Sequence, residues 1–457
     1  MIVVLPLLAK SFLVSYLELF YKNHSMRCLL FVLILMTTLP TSAQEAAHRW
    51  RKLNQIRRDK FDLVLPAVMR ENGIDMWIIM CREGNFDPIY EFLGGGYVGH
   101  NGYYIFSDRG GSRIERTVLG VDGYLIERTG AWDHFGDESE LKEFVARRDP
   151  KKIGLNMSKD IGGADGLSYT GRLELAALLG KKYEDRFVSA EKLYSDFRSR
   201  HVTTELSAFT EAGDHSYRIA ERALSNEVIT PGRTTLAEVA WWMMEQLHRL
   251  NLESSFGMPS VYVTGPDGIV ATSSDRIIQR GDILMVDWGV GYLGYYTDMK
   301  RIAYVLKDGE TDLPAGIANA FNRGLRARQV IMETIKPGMT AQQAMDKVYA
   351  ALESDGFVRM REFNKPGLTE KTDVMIGCHS VGDWGHGTGP SIAHFNPVQL
   401  TYLLRPTNLL SIELFAYTPI PEWGGRKLRI PLEDDAVVTA AGMEWLYPVN
   451  EQVQLIR

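Results

Sequence analysis

The 457-residue chain has few cysteines, no excess of positive charge and no low-complexity segment. Three cysteines are too few for the disulfide framework on which small secreted domains depend. A formal net charge of −6 at pH 7 argues against a nucleic-acid-binding protein and against a polybasic membrane surface. What remains is an ordinary globular composition, 45% hydrophobic and 24% charged, in a chain long enough for two or three domains.

An apolar run near the N-terminus is short for a membrane span. It covers residues 29–36, follows Arg27, and leads into small residues that end at Ala43. This is the arrangement of a cleaved secretory signal peptide, whereas a retained anchor would need about 20 apolar residues. Met26 is a candidate initiator for such a leader. We therefore expect residues 1–43 to be a signal-peptide region and the mature protein to be exported, either periplasmic or secreted, without a stable membrane span.

Residues 44–200 alternate helical and strand-like patterns, which predicts an α/β domain. Short buried strands are expected at residues 74–80, 102–108 and 116–120. The glycine-rich segment 92–104 does not open a helix as a phosphate loop must, so we interpret it as a turn region. No group of residues in this half suggests catalysis.

Residues 201–457 begin with two helical patterns. Thr203 or Thr204 is expected to cap a long helix that reaches about Val228. A Thr-x-x-Glu capping box at Thr235 marks the start of the second helix.

The pattern Ile-x-Pro-Gly-x-Thr occurs at Pro231 and again at Pro337, each time before an amphipathic helix and a polar turn. Each copy follows a long helix and precedes strands. The repeat predicts a pseudo-two-fold domain with a site where its halves meet; the alternative is a chance match of two helix-opening turns.

Two aspartates follow apolar strand patterns in the first unit. Residues 283–286 form a buried strand that ends in Asp287, Gly289 and Gly291 make a turn, and a second strand carries Asp298. Carboxylates beside such apolar runs are costly to bury and repel one another, a cost that a bound metal ion would remove. The alternative is that both are turn or edge residues facing water.

The second unit supplies matching carboxylates, Glu413 within an apolar strand pattern and Glu433 just before the strand at residues 436–439. Together with a histidine they suit a pair of divalent ions such as Mn²⁺, Co²⁺, Zn²⁺ or Fe²⁺, rather than a thiolate zinc site. Two such ions about 3.5–4 Å apart would activate a water molecule near neutral pH. The glycine-rich loop 378–395 offers three candidates for the nitrogen ligand: His379, His386 and His394.

The order and spacing of these residues resemble the methionine aminopeptidase, aminopeptidase P and prolidase superfamily, the pita-bread metallopeptidases. In that family a second aspartate follows the first by eleven residues, as Asp298 follows Asp287, and a Glu-Asp pair precedes the final strand, as in LEDDAVVT. Creatinase shares the fold but lacks the metal ligands, which this sequence has in full. The resemblance covers nearly the whole mature chain. It implies an α/β creatinase-like N-terminal domain over residues 44–200 and an α+β pita-bread catalytic domain over residues 201–457.

The resemblance also assigns the histidines. The family's metal histidine follows a strand, begins a His-x-x-Gly turn, precedes a second histidine by seven residues and lies a little over thirty residues before the first glutamate. His379 meets each condition and lies 34 residues before Glu413. The resemblance therefore implies that His379 is a metal ligand, that His386 contacts the substrate, and that His394 is a structural or surface residue.

The metal ligands implied by the resemblance have separate roles: Asp287 on one ion, His379 and Glu413 on the other, and Asp298 and Glu433 between them. Glu413 would also serve as the general base that accepts and passes on a proton. His386 would donate to the substrate carbonyl oxygen as negative charge develops on it.

Three positions depart from the family pattern. A histidine before the first aspartate strand is replaced by Val270, and a second one near the metal histidine is replaced by Met375. An arginine near the last glutamate is replaced by Pro431, with Arg429 nearby as a possible substitute. In the family these groups bind substrate and move protons rather than hold metal. The metal site is therefore expected to be complete, whereas a requirement for proline does not follow.

The sequence thus predicts an exported metallopeptidase, an aminopeptidase acting on short peptides with Xaa-Pro peptides among the candidates, with Mn²⁺ as the first choice of ion. The relatives suggest a homodimer. Two alternatives stay open. One is a hydrolase or lyase that acts on a small non-peptide substrate with the same metal site. The other is a pita-bread binding module without catalysis, against which the complete ligand set argues.

Overall fold

The computed structural model describes residues 42–383, 386 and 388–457, so residues 1–41 of the predicted signal-peptide region lie outside the described residues. Within these residues no helix combines the length and apolar character needed to cross a bilayer. The α-helices there are α1 Ser42–Leu63, α2 Leu65–Glu71, α3 Tyr90–Leu93, α4 Tyr124–Glu127, α5 Leu141–Arg148, α6 Tyr169–Leu179, α7 Lys181–Glu184, α8 Glu191–Ser199, α9 Thr203–Ala223, α10 Leu236–Leu250, α11 Ala315–Thr334 and α12 Ala341–Ser354.

A mixed sheet of six strands organises the first part of the described chain. The strands are β1 Met76–Cys81, β2 Tyr97–Ser107, β3 Glu115–Asp122, β4 His134–Gly136, β5 Ile153–Leu155 and β6 Phe187–Ser189. Their order across the sheet is β4-β3-β2-β1-β5-β6, with β1 antiparallel to β2 and parallel to β5. The alternation of helices and strands predicted for this half is confirmed as a mixed α/β architecture.

The prediction of a turn over the whole glycine-rich segment 92–104 is wrong. The segment is a turn only over Gly94–Gly96, where each backbone φ is positive. From Tyr97 onward it is part of β2, which is irregular between Val98 and Tyr103. Glycines and polar residues in this part of the strand interrupt the alternation of apolar and polar side chains by which a strand is predicted.

The second part of the described chain contains four smaller sheets. Their strands are β7 Glu253–Ser254, β8 Ser260–Gly265, β9 Gly268–Val270, β10 Ile283–Trp288, β11 Val290–Tyr292, β12 Tyr295–Tyr296, β13 Met299–Val305, β14 Val358–Arg359, β15 Asp373–Ile376, β16 His379–Ser380, β17 Gly382–Asp383, β18 Leu409–Ser411, β19 Leu414–Pro419, β20 Lys427–Leu432, β21 Asp435–Val438, β22 Met443–Trp445 and β23 Gln454–Ile456. The strand orders are β23-β13-β10-β8-β9, β17-β12-β11-β7, β14-β15-β19-β20 and β16-β18-β21-β22.

The two Pro-Gly repeats are held to the rest of the chain by matching contacts. The amide of Gly232 donates to the carbonyl oxygen of Ile278, and the amide of Gly338 donates to that of Leu404, both at 2.7 Å. The helices that follow, α10 and α12, each begin with a capping box. The repeat seen in the sequence therefore corresponds to two similarly built units in the second part of the described chain.

Helices α9 and α11 hold these units against their sheets. Helix α9 lies against β11 and β12, and α11 lies against β19 and β20. The predicted extension of α9 to Val228 is wrong, because the helix ends at Ala223 and residues beyond it turn through hydrogen bonds to Ser225. The threonine cap is also wrong, because Thr203 lies inside the helix and Val202 precedes it.

Candidate metal centre

A strand hairpin brings Asp287 and Asp298 together. Asp287 lies in β10, and the chain returns through β11 and β12 to Asp298, just before β13. The sequence predicts Asp298 within the second strand, but that strand begins at Met299. The return is tight: a Cβ on Gly289 would lie 1.7 Å from the carbonyl oxygen of Thr297, so only glycine fits there.

The other predicted ligands come from the second repeat. His379 opens β16 and pairs with Ser411 of β18. Glu413 is predicted within a strand but lies in the break between β18 and β19, while Glu433 lies between β20 and β21, just before the final strand pattern as predicted. Both glutamates therefore project from interruptions in the strands rather than from their interiors.

The structure brings all five predicted ligands into one cluster, in which Asp287 and Glu413 are half-buried and the other three are buried. The Nε2 atom of His379 lies 3.2 Å from Oε1 of Glu433 and 3.8 Å from Oδ2 of Asp298. Ligand atoms within 4.8 Å of one another form three sets that could each hold a metal ion: Asp298, His379 and His386; His379, Glu413 and Glu433; and Asp287, Asp298 and Glu433. Side chains nearly 150 residues apart in sequence thus share one site.

Of the two remaining histidines, His386 lies at the edge of the cluster and His394 lies outside it. His386 is 63% exposed, and its Nε2 lies 3.4 Å from Oδ2 of Asp298. Its ring centroid is 4.3 Å from that of His379. His394 is exposed and rests against Phe395, and it belongs to none of the metal-capable sets found among the described residues.

Burial and mutual repulsion govern the charges of the cluster. Burial raises the pKa of Asp298 to about 7, and the neighbouring Glu433 contributes to the rise. Burial also opposes protonation of His379, but its hydrogen bond to Glu433 and the surrounding carboxylates raise the pKa of His379 to about 10. A site that favours cations this strongly suits a metal ion.

Sequence reasoning missed Lys300, whose side chain lies inside the cluster. Its Nζ lies 3.1 Å from Oδ2 of Asp287 and 2.7 Å from Oε1 of Glu413, and it also donates to Oε2 of Glu433. The residue is 5% exposed. Burial works in the opposite direction, but the Asp287 and Glu413 carboxylates raise the pKa of Lys300 well above its usual value. Lys300 is therefore a fixed cation in the midst of the predicted metal ligands.

A sequence signal for Lys300 exists. It stands two residues after Asp298, where Lys300 and Arg301 interrupt a strand pattern that is otherwise apolar, and side chains two apart along a strand share a face. In the antiparallel pairing of β10 with β13 it lies directly opposite Asp287. A lysine on the ligand-bearing face of a predicted buried hairpin is itself an indication of a paired charge.

Ion pairs behind the cluster fix the strand that carries Glu433. Asp434 accepts hydrogen bonds from Arg301 at 2.7 Å and from Arg328 at 3.0 Å. Asp435 accepts the backbone amide of Asp298 at 3.0 Å. These contacts join the two repeats through buried hydrogen bonds and charge pairs, so the two aspartates of the LEDD segment hold its glutamate in position.

The residues present fit a divalent cation on the side of the cluster away from Lys300. The Oδ1 atom of Asp298 is buried and has no hydrogen-bond partner within the described part of the chain. Beside Asp298 stand two imidazoles, His379 and the more exposed His386, and the Oε1 atom of Glu433 lies next to His379. A buried, unpartnered carboxylate oxygen near a second carboxylate is costly unless a cation neutralises it, and oxygen ligands with imidazole nitrogens suit a divalent transition-metal ion.

A cavity of about 400 Å³ adjoins the cluster on the Lys300 side. Asp287 and Glu413 line it together with apolar side chains and Arg429. Among the positions that depart from the family pattern, Pro431 lines this cavity, whereas Met375 is buried in a small apolar group nearby. The side chain of Arg429 therefore faces the site, as the sequence suggested.

A repeated helix-and-strand unit with carboxylates and histidines at its centre is suited to bind divalent metal ions. The sequence model of metallopeptidase family M24 matches residues 207–440. The chain belongs to this family, which implies divalent metal ions, and it is a metallopeptidase. The predicted pita-bread fold and the aminopeptidase P and prolidase branch are confirmed.

Related proteins extend along most of the chain. The Probable dipeptidase PepE of Mycobacterium tuberculosis is 29% identical over 52% of this chain and 56% of its own length. The Xaa-Pro dipeptidase of Pyrococcus furiosus is 23% identical over 85% of this chain and 98% of its own length. The crystal structure of X-Pro aminopeptidase from Thermotoga maritima MSB8 covers 85% of this chain and 99% of its own, with a TM-score of 0.61 at 18% identity. That structural likeness supports the fold alone.

Proposed function

We propose that this chain is an aminopeptidase for short peptides, dipeptides above all, and that it cleaves the bond after the N-terminal residue. The single observation that carries the proposal is the cavity in which Asp287 and Glu413 of the metal cluster share a wall with Arg429. A dipeptide offers an amide near the carboxylates and a carboxylate for the guanidinium. The dipeptidase names of two relatives support this choice, and an Xaa-Pro substrate is one member of the proposed class.

Arg429 is prepared to receive a carboxylate. Its guanidinium carbon lies 4.5 Å from the ring centre of Phe415 and 5.9 Å from that of Phe363. Its Nε is buried without a hydrogen-bond partner among the described residues. Its Nη1 donates to Sδ of Met285 at 3.9 Å. A stacked arginine with a donor that lacks a partner is suited to bind a planar anion. The apolar walls of the same cavity, including Met285 and Pro431, would accept the C-terminal side chain.

The protein's own residues then have definite tasks in hydrolysis. Asp298, His379 and Glu433 would hold an ion, with Mn²⁺ as our first choice, and such an ion lowers the pKa of a water and polarises a carbonyl. Burial raises the pKa of Glu413, which suits it to accept a proton and return it to the leaving amine. His386 lines a neighbouring cavity with Asp298, so the scissile bond would reach from the Arg429 cavity across the cluster for its carbonyl oxygen to accept from His386.

The test compares dipeptides with their C-terminal amides, using Xaa-Pro and non-proline sequences on Mn²⁺-loaded protein. We expect the amides to be cleaved about 10- to 100-fold less efficiently in kcat/KM, because a charged hydrogen bond contributes about 1.5–3 kcal/mol. Arg429→Met should abolish that difference by raising KM for the acids. Arg426→Met is the matched control, since Arg426 is exposed and pairs with Asp267.

Equal cleavage of acids and amides by the wild type would contradict the role of Arg429. Release from no peptide at all would overturn the proposal and favour the small non-peptide substrate. The ratio of Xaa-Pro to non-proline rates answers the separate question of proline preference, which Val270, Met375 and Pro431 leave open.

We further propose that the mature enzyme is exported and forms a homodimer. The support is the leader pattern of residues 1–43 for the first and the family resemblance for the second. N-terminal sequencing of protein recovered from the source cells should begin at Gln44, and light scattering should give twice the mass of one chain. An N-terminus at Met1 or Met26 would contradict cleavage.

A further inference from the structure

The ammonium of Lys300 is saturated by the metal cluster. An ammonium group carries three N–H donors, and Lys300 has three carboxylate acceptors from three different segments. Asp287 belongs to β10, Glu413 to the break after β18, and Glu433 to the break after β20. The same three carboxylates are among the five predicted metal ligands. The nitrogen therefore sits where these carboxylates would otherwise require a metal ion.

The backbone and side-chain stem of Lys300 are fixed by their surroundings. The backbone amide donates to the carbonyl oxygen of Glu433 at 3.1 Å, and the residue pairs with Asp287 across β10 and β13. The Nζ lies 5.7 Å from the ring centre of Phe415, and both residues line the cavity. The ammonium is thus placed in the cluster by a strand register rather than by a mobile loop.

The other side of the cluster lacks a cation of this kind. Within the described residues, Lys300 forms no ion pair with Asp298 at 4.0 Å or less. One oxygen of Asp298 has no hydrogen-bond partner, and the other lies 3.4 Å from His386 and 3.8 Å from His379. Oε1 of Glu433 also points to this side, 3.2 Å from His379, whereas Oε2 is taken by Lys300.

We infer that the Lys300 ammonium permanently replaces one of the two ions implied by the family resemblance, so that the centre binds one divalent ion beside Asp298, His379 and Glu433. With His379 neutral, as a metal ligand must be, four ionised carboxylates and one ammonium leave three negative charges for one divalent ion to offset. A second ion held by Asp287 would compete with Lys300 for its acceptors and would lie against another cation. The inference rests on the proposed metallopeptidase site and specifies its metal content.

The experiment counts ions without reference to activity. Purified full-length mature protein is stripped with a chelator, equilibrated with Mn²⁺ alone, freed of unbound metal and measured by mass spectrometry of the metal. We expect about one Mn²⁺ per chain in the wild type and about twice that in Lys300→Ala, which removes the ammonium and opens its place. Lys307→Ala is the control, since Lys307 is an exposed lysine just beyond the same strand, and it should match the wild type.

Electron paramagnetic resonance of the same samples gives an independent result. The wild type should show the hyperfine pattern of an isolated Mn²⁺, and Lys300→Ala that of an exchange-coupled pair. Should Lys300→Ala fail to fold, the wild-type stoichiometry and spectrum still decide the matter. Two coupled ions in the wild type, no bound ion in the wild type, or a single ion in folded Lys300→Ala would each overturn the inference.

Failure of this inference and failure of the proposed function give different experimental results. One ion per wild-type chain without cleavage of any peptide would contradict the proposed function and support the role of Lys300. Two ions per wild-type chain together with dipeptide cleavage would support the proposed function and contradict the role of Lys300.

Discussion

Replacing Asp298 by Asn should lower peptidase activity by about a thousandfold or more and remove the bound ion, because this carboxylate offers the unpartnered oxygen of the cluster. Lys300 does not hold Asp298, so the substitution should leave the ammonium and its three partners in place. Activity on a dipeptide and ion content by metal mass spectrometry, measured on the same preparation, check both expectations. Asp275→Asn, at an exposed aspartate, is the control.

The same substitution should make the metal-free protein more stable. Asp298 is buried beside Glu433, which with burial raises its pKa to about 7, so an ionised Asp298 opposes folding. Because the folded pKa is raised, the penalty is absent below the unfolded pKa of about 4, grows as the pH rises from about 4 to about 7, and is complete above the folded pKa. We expect metal-free Asp298→Asn to exceed metal-free wild type by about 1–3 kcal/mol at pH 8 and to equal it near pH 4.

Chemical unfolding of chelated protein at the two pH values measures this difference. A metal-free variant less stable than the wild type at pH 8, or an Asp298 variant as active as the wild type on the same peptide, would show that the site assignment is wrong.

Replacing Lys60 by Met should destabilise the fold by about 3–5 kcal/mol, the largest stability effect we expect outside the metal centre. The Nζ of Lys60 lies 2.9 Å from Oε2 of Glu205, and both side chains are fully buried. Lys60 also donates to the carbonyl oxygen of Arg200 at 2.7 Å, and Tyr295 donates to Glu205 at 2.8 Å. Without Lys60, the buried carboxylate of Glu205 has no lysine to neutralise it, and the carbonyl oxygen of Arg200 loses this hydrogen bond, which lowers the free energy of unfolding.

The measurement is the free energy of unfolding from urea titration at pH 7. The double variant Lys60→Met/Glu205→Leu should recover most of the loss, because it removes both charges together. Lys159→Met, at an exposed lysine, should change the free energy by less than about 0.5 kcal/mol. A small loss in Lys60→Met, or a double variant no better than the single one, would contradict the account.

The Lys60–Glu205 pair should also resist acid. Burial alone would raise the pKa of Glu205, but Lys60 and His201 lower it to about 2. Because the folded pKa is depressed, the stabilisation is complete above the unfolded pKa of about 4.3 and is lost as the pH falls through 2. The wild type should therefore lose stability in this range, and the double variant should lose less.

Most of the candidate metal ligands could be predicted from the sequence because the patterns that indicate them are local. An apolar run followed by a carboxylate, a spacing of eleven residues between Asp287 and Asp298, and a His-x-x-Gly turn at His379 are each read within a short window. The capping boxes at Thr235 and Thr340 follow from the same kind of pattern and are present in the structure. Local sequence was enough to indicate the candidate carboxylates, and the family resemblance then selected His379 among three histidines.

Which residues these side chains pair with was decided by the tertiary structure. The hairpin register places Lys300 opposite Asp287, and packing of the two repeats brings its ammonium to Glu413 and Glu433, 113 and 133 residues further along. Arg429 faces the cavity because β20 pairs with β19. A charge pattern in sequence states what a side chain can donate or accept, but only the packed strands determine which other charge lies within reach.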